Sequence, residues 1–457
     1  MRVRVTPGSI ASGNVRVPGD KSIAHRWLLL AATARGTSRL RGLPPSLDVR
    51  STAACLAKLS GRGRPALETW AGNAGGAAEG HGSTWNRDDP GVPEQALEVE
   101  GEGRSGLIEP SGDLDCGNSG TAMRLLAGML ATVPFTSTLV GDESLSARPM
   151  ERVAGPLREM GAVVRTTDGH APITIEGGDI HGTVSTLAMP SAQVKGAILF
   201  AGLGAKGTTS VTEPASTRDH TERAFAALGL PVSVEGSTIT VQGGSEHGGL
   251  TATVPGDPSS AAFLVAAAAL SRVELAITGV GLNPSRLHYL EILSRMGVRT
   301  RTTVEREELG EPVGELWVAP DGELVGTEVG ADELPLIIDE VPVLALLATH
   351  ARGETWFAEV GELRVKESDR LGGIARGIVA LGGHAGAEGD DLVVSGLGLR
   401  GGVADAQGDH RLAMAFVVAA LRADTPCEVS GMEAADVSFP GFLSVLRRLG
   451  ATVGPAS

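Results

Sequence analysis

The chain repeats itself. Residues 17–37, VPGDKSIAHRWLLLAATARGT, and residues 254–272, VPGDPSSAAFLVAAAALSR, share VPGD, a serine and an alanine-rich run at an offset of 237, close to half of the 457 residues. A finer recurrence is a helical segment ending in Leu-Gly or Met-Gly. It occurs at Met160-Gly161, Leu228-Gly229, Met296-Gly297, Leu381-Gly382 and Leu449-Gly450, with successive glycines 68, 68, 85 and 68 residues apart. The physical sense is an amphipathic helix whose last apolar residue packs inward before a left-handed glycine cap. Alternating stretches follow, such as AVVRTT with APITIEG and PVSVEG with STITVQG, the pattern of hairpins. A sixth helix, DVRSTAACLAKLSG, falls near residues 48–61. Six ββ-plus-helix units, three per half, predict an α/β protein of two similar domains; chance likeness among alanine-rich helices is the competing explanation.

One segment breaks the period. Residues 61–94 hold eight glycines, two of the five tryptophans and no periodicity. They read as a flexible Gly-rich surface insertion. Trp70 and Trp85 would then be tolerated passengers, with a binding patch as the alternative.

Composition narrows the class. The 64 glycines and 25 prolines fall below the roughly 25–30% that marks a low-complexity chain. Aromatics make up 3% of residues, so Ala, Val, Leu and Ile must build the core. No uncharged apolar run reaches the ~18 residues that a membrane-spanning helix needs, and MRVRVTPGSI alternates like a strand rather than a signal peptide. Cys55, Cys116 and Cys427 are widely spaced, without CxxC or metal-ligand spacing. A reduced cytoplasmic protein without a metal centre is the expectation. The net charge of −15 argues against nonspecific nucleic-acid binding, but a local cluster of cations can still reverse the field inside a cleft.

Those cations gather at helix starts and loops. In PGDKSIAHR a Pro-Gly turn leads into a helix carrying Lys21, Ser22 and Arg26. Free N–H groups and the helix dipole suit a phosphate or carboxylate there; a capped helix with solvated cations is the alternative. DCGNSGTAMRLL repeats the logic at Asn118, Ser119, Gly120 and Thr121, with Arg124 following. GDESLSARPM sets Arg148 on a loop before a helix, where it is equally well a surface ion-pair partner. MPSAQVKGAILF opens a helix with Ser191, Gln193 and Lys195, groups able to hydrogen-bond a polyol, although Ser is also a routine cap. EPASTRDHTERAF offers Arg218 and His220 among acids.

The second half holds the acid–base candidates. ELPLIIDEVPVLALLAT sets Asp339 and Glu340 in apolar sequence, where a carboxylate is costly unless paired or functional and where burial raises its pKa toward proton-transfer use. ELRVKESDRL brings Arg364, Lys366, Glu367 and Arg370, and GDHRLAMAFVVAAL brings Asp409, His410 and Arg411 before an apolar helix. His410 reads as a structural hydrogen-bonder. A two-domain cleft lined by Lys21, Arg26, Arg124, Arg148, Lys195, Arg218, Lys366, Arg370 and Arg411 would bind multiply anionic ligands. No Ser/His/Asp arrangement, GxxxxGK loop or metal cluster competes.

In order along the chain, GDKSIAHR, CGNSGTAMRLL, GDESLSARPM, PSAQVKGAILFA, RDHTERA, VPGDPSSAAF, ELRVKESDRL and GDHRLAMA resemble the 5-enolpyruvylshikimate-3-phosphate synthase family. The likeness spans nearly the whole chain apart from residues 61–94. It implies an inside-out α/β barrel fold of two domains, 1–20 with 251–457 and 21–250, crossed twice by the chain near residues 20 and 250. It also implies transfer of the enolpyruvyl group of phosphoenolpyruvate to the 5-hydroxyl of shikimate 3-phosphate, without metal or organic cofactor, by a cytoplasmic monomer that binds neither nucleic acid nor membrane. By motif match, Lys21, Gly120, Arg148, Gln193, Arg370 and Arg411 would contact phosphoenolpyruvate. Lys21, Ser22, Arg26, Ser191, Gln193, Arg218, Asp339 and Lys366 would contact shikimate 3-phosphate. Asp339 would accept the 5-hydroxyl proton, and Glu367, assisted by Lys21, would protonate the methylene carbon.

Three positions depart from the family pattern. Ala192 replaces a second Ser, Arg218 stands where others have Tyr, and Val437 replaces a Lys that contacts phosphate. Gly120 is the form associated with binding the inhibitor glyphosate. Two rival readings stay open at this point. A UDP-N-acetylglucosamine enolpyruvyl transferase would carry a Cys in the loop GDESLSARPM, which has none. A noncatalytic anion-binding scaffold would show decay at Lys21, Asp339 and Glu367, which are all present.

Overall fold

The structure is a computed structural model that describes residues 1–73, 96–320 and 322–456. Its contacts divide the chain into two units: Met1–Pro18, Gly256–Arg306 and Pro312–Ser457 form one, and Gly19–Pro255 with Glu307–Glu311 the other. The division falls at two Pro-Gly steps, Pro18-Gly19 and Pro255-Gly256, a few residues from the positions suggested by the sequence. Unforeseen in the sequence is the grouping of Glu307–Glu311, the tip of the hairpin Val298–Glu308 with Glu311–Pro320, with the second unit.

One sheet plan recurs. Val184–Thr186 runs parallel to Thr208–Thr212, which pairs antiparallel with Thr238–Gln242, which pairs antiparallel with Val232–Glu235. Leu114–Asp115, Thr136–Val140, His170–Glu176 and Val163–Thr167 repeat this wiring in the same unit. Two sheets of the other unit keep this order, and in the third the N-terminal strand Arg2–Thr6 takes the place of the last strand, between Cys427–Ser430 and Thr452–Pro455. Thr251–Thr253, Arg35–Arg41 and Leu97–Glu102 show three strands of it among the described residues.

The outer helices end as the Leu-Gly and Met-Gly steps predict. Gly161, Gly229, Gly297, Gly382 and Gly450 have φ of 103°, 69°, 87°, 76° and 99°, a left-handed conformation in which a Cβ would be strained. The repeat also contains a second, inner helix that the period did not disclose. Lys21–Thr33, Gly120–Leu130 and Ala192–Gly204 are the inner helices of one unit; Pro258–Ser271, Val341–Ala348 and His410–Ala420 are those of the other. Every residue of Pro258–Ser271 is buried. A helix covered on all sides has no polar stripe, so amphipathic periodicity cannot mark it. Small residues let these helices meet closely: a Cβ on Gly128 would lie 2.1 Å from the Ala197 carbonyl oxygen. Each unit has its own apolar core around its inner helices.

The expectation of a flexible Gly-rich surface insertion over residues 61–94 is corrected at its start. Arg64–Asn73 is a helix, with Leu67 fully buried and Trp70 packed on the core. Its short apolar pattern is hidden because the glycines on both sides dominate the composition. Residues 74–94 of that reading, Trp85 included, lie outside the described residues.

Candidate active site

The candidate residues form two polar clusters, one in each unit. In the Gly19–Pro255 unit, Asp20 caps the first inner helix by accepting from the Ile23 N–H at 2.9 Å. That cap fixes the direction of the first turn. Lys21 Nζ then lies 2.7 Å from Asp48 Oδ2, and one turn later His25 Nδ1 lies 2.7 Å from Thr52 Oγ1. Both contacts tie the 21–33 helix to Leu47–Leu59. Burial, with Lys21 and Arg26 adding to it, pushes His25 well below its usual pKa.

Arg26 is buried and threads three elements. Its Nε donates to Thr221 Oγ1 at 2.7 Å, Nη1 to the Ser22 carbonyl at 2.8 Å and Nη2 to the Ala192 carbonyl at 3.1 Å. Burial lowers its pKa to about 10, so it remains charged at neutral pH. Arg218 Nη1 reaches Ser22 Oγ at 3.5 Å, which brings two predicted ligand residues together. Ser191 caps the 192–204 helix through the Val194 N–H, and Gln193 bridges, accepting from Arg124 Nη1 at 2.6 Å and donating to Thr121 Oγ1 at 2.8 Å. Arg148 Nη2 donates to Asn118 Oδ1 at 3.1 Å. Gly120 sits against both guanidiniums: a Cβ there would lie 2.7 Å from Arg124 Nη1 and 3.1 Å from Arg148 Nη1. Any side chain at residue 120 would displace those groups, so the missing Cβ shapes the cluster.

Lys195 does not join these groups. It is 1% exposed and holds Glu213 Oε2 at 2.8 Å and Glu222 Oε1 at 2.6 Å. The expectation that it lines an anion cleft is therefore corrected: two carboxylates from a later segment draw it inward. His220 is likewise taken, with Nδ1 2.7 Å from Glu311 Oε1.

In the other unit Arg370 is the hub. It is 1% exposed; its Nε donates to Asp409 Oδ2 at 2.7 Å, Nη2 meets Glu367 Oε2 at 2.5 Å, and Nη1 lies 3.6 Å from Asp339 Oδ1. Burial opposes its charge, but Asp409, Glu367 and Asp339 outweigh burial and raise its pKa. Asp339 Oδ1 also lies 3.2 Å from Arg411 Nε, while its carbonyl accepts from Arg411 Nη1 at 2.9 Å. The apolar surroundings read for Asp339 in the sequence are thus replaced in space by two guanidiniums. Glu340 is the deeply buried member of that pair and accepts from Ser259 Oγ. Lys366 Nζ lies 3.5 Å from Glu362 Oε1, and burial holds its pKa below the usual value. Arg364 pairs outward with Asp369 and Asp390. Val437 ends the short 3-10 turn Met432–Val437 and offers no charge.

Sequence reasoning missed Asp48, Glu213, Glu222 and Thr221 as partners. Acidic and hydroxyl residues on helices or in a connecting link carry no signal of which distant cation they meet. Chemically, the two clusters offer fixed donors for anionic groups, and carboxylates at Asp339 and Glu367 held by Arg370.

A profile of the EPSP synthase (3-phosphoshikimate 1-carboxyvinyltransferase) family matches residues 5–69 and 92–446. The 3-phosphoshikimate 1-carboxyvinyltransferase of Desulfitobacterium hafniense is 44% identical over 451 residues, covering 98% of this chain and 97% of that protein. The Acidithiobacillus ferrooxidans protein of the same name is 44% identical over 459 residues, covering 100% and 99%. Among solved structures, EPSP synthase from Acinetobacter baumannii superposes with a TM-score of 0.83 at 37% identity over 100% of both chains. An enolpyruvyl transferase from Streptomyces tendae, at a TM-score of 0.73 and 21% identity, supports the fold alone. On full-length likeness of this degree, the chain belongs to the EPSP synthase family.

Proposed function

We propose that the protein transfers the enolpyruvyl group of phosphoenolpyruvate to the 5-hydroxyl of shikimate 3-phosphate and releases phosphate. The observation that carries this reading is the Asp339–Arg370–Glu367 cluster in a chain whose full-length relatives are named for that transfer. Lys21, Gly120, Arg148, Gln193, Arg370 and Arg411 bind phosphoenolpyruvate. Lys21, Ser22, Arg26, Ser191, Gln193, Arg218, Asp339 and Lys366 bind shikimate 3-phosphate.

In the addition step the 5-oxygen bonds to the central carbon of phosphoenolpyruvate. Its proton passes to Asp339, and Glu367, assisted by Lys21, delivers a proton to the methylene carbon. Elimination reverses the second transfer: a methyl proton returns to Glu367, the double bond re-forms, the carbon–oxygen bond to phosphate breaks, and phosphate leaves with the proton that Asp339 had taken up. Fixed guanidiniums suit this chemistry because they stabilise phosphate and carboxylate charge without reorganising during the step. The protein acts as a cytoplasmic monomer without metal or organic cofactor; its three free, buried cysteines suit a reducing compartment. No helix among the described residues is long and apolar enough to cross a membrane.

The test is phosphate release from purified protein supplied with both substrates. Turnover with UDP-N-acetylglucosamine in place of shikimate 3-phosphate would overturn the assignment, as would binding of both ligands without turnover. Lys21→Met and Glu367→Gln should each lose most turnover in a folded protein.

A further inference from the structure

The segment that carries Arg218 is pinned from beneath by a closed ion cluster. Glu213–Asp219 links the strand Thr208–Thr212 to the helix His220–Ala227. Lys195, from the first turn of the 192–204 helix, binds Glu213 at the start of this link and Glu222 just beyond its end. Within the link, Thr217 Oγ1 donates to the second oxygen of Glu213. Arg26 takes hold at Thr221 and lends charge to Glu222. The four ionic groups Lys195, Arg26, Glu213 and Glu222 are all buried, two cations facing two carboxylates; burial pushes the Glu222 carboxyl up and Lys195 opposes that shift.

The balance decides what Lys195 does. A buried ammonium already neutralised by two carboxylates has no charge to spare for a substrate anion, and drawing it out would leave both carboxylates unpaired in a low-dielectric interior. Arg218, by contrast, is partly exposed at the surface of the link and reaches Ser22. We infer that Lys195 is a positioning residue: through Glu213 and Glu222 it sets the conformation of the 213–219 link and thereby aims Arg218 at the phosphate of shikimate 3-phosphate. This rests on the reading of Arg218 as a shikimate 3-phosphate ligand.

Steady-state kinetics of Lys195→Met, Arg218→Ala and the double variant test the inference. Lys195→Met should raise KM for shikimate 3-phosphate about tenfold or more, with kcat at saturation and KM for phosphoenolpyruvate changed less than about threefold. In the double variant the two effects should not multiply, because Lys195 acts through Arg218. Glu213→Ala, which leaves Lys195 paired with Glu222, should show the same selective KM effect and supplies the test where loss of the ammonium unfolds the chain. A raised KM in Arg218→Ala with an unchanged KM in the Lys195 or Glu213 variant overturns the inference, as do effects that multiply fully. An unchanged KM in Arg218→Ala itself overturns the reading of Arg218 as a ligand, and the inference with it.

Discussion

Asp409 presents one oxygen to the Nε of Arg370 at 2.7 Å and the other to the backbone N–H of Arg411 at 2.8 Å. A single buried carboxylate therefore caps a helix and aims a guanidinium, joining secondary structure to the site. Asp409→Asn keeps the acceptor for the cap and removes the countercharge. It should raise KM for phosphoenolpyruvate by about tenfold and also lower stability, because a buried guanidinium then faces an amide donor in place of a carboxylate; Asp409→Ala should lose about 1 kcal/mol more through the cap. Equal melting temperatures for the two variants would refute this division of labour.

Gly120 has its Cβ space taken by Arg124 and Arg148. Gly120→Ala should therefore push those guanidiniums aside, raising KM for phosphoenolpyruvate more than KM for shikimate 3-phosphate. Titration of each substrate against the other at saturation checks the asymmetry; an equal rise in both constants would sink it.

His350 should make stability depend on pH on the acid side. Burial pushes its pKa to about 4, and its Nε2 contacts the Ala419 carbonyl at 3.2 Å. The unfolded chain, with the ordinary value near 6.5, takes up the proton first. The contribution is therefore complete above about pH 6.5 and is lost as pH falls toward 4. His350→Gln keeps a donor and should flatten the fall in unfolding free energy between about pH 7 and pH 5, by at most ~1.4 kcal/mol per pH unit. Parallel curves for variant and parent from urea unfolding would count against it.

Leu67 is fully buried in the helix Arg64–Asn73, within a stretch whose composition reads as loop. Leu67→Ala should cost about 2–4 kcal/mol by cavity formation, read as a lowered denaturant midpoint. A change below about 0.5 kcal/mol, the size expected of a surface site, would return this segment to the status of a tolerated insertion.

The 68-residue period, the five glycine caps and the hairpins could be read from the sequence because each rests on contacts a few residues apart. A left-handed cap or an alternating strand states its conformation locally. The capping roles of Asp20, Ser119, Ser191 and Asp409 belong to the same class, since each accepts from an N–H two or three residues ahead. The tertiary structure decided where the long side chains go. Lys21 and Lys195 both lie in the first turn of inner helices, yet Lys21 stays at the helix start beside Asp48 while Lys195 is drawn into the interior by Glu213 and Glu222. Asp339 and Glu340 are adjacent, yet one meets two arginines and the other a buried serine. The physical reason is that a charged side chain several bonds long takes its direction from the countercharge that desolvates with it. Those countercharges arrive from segments tens of residues away, where no local pattern records them.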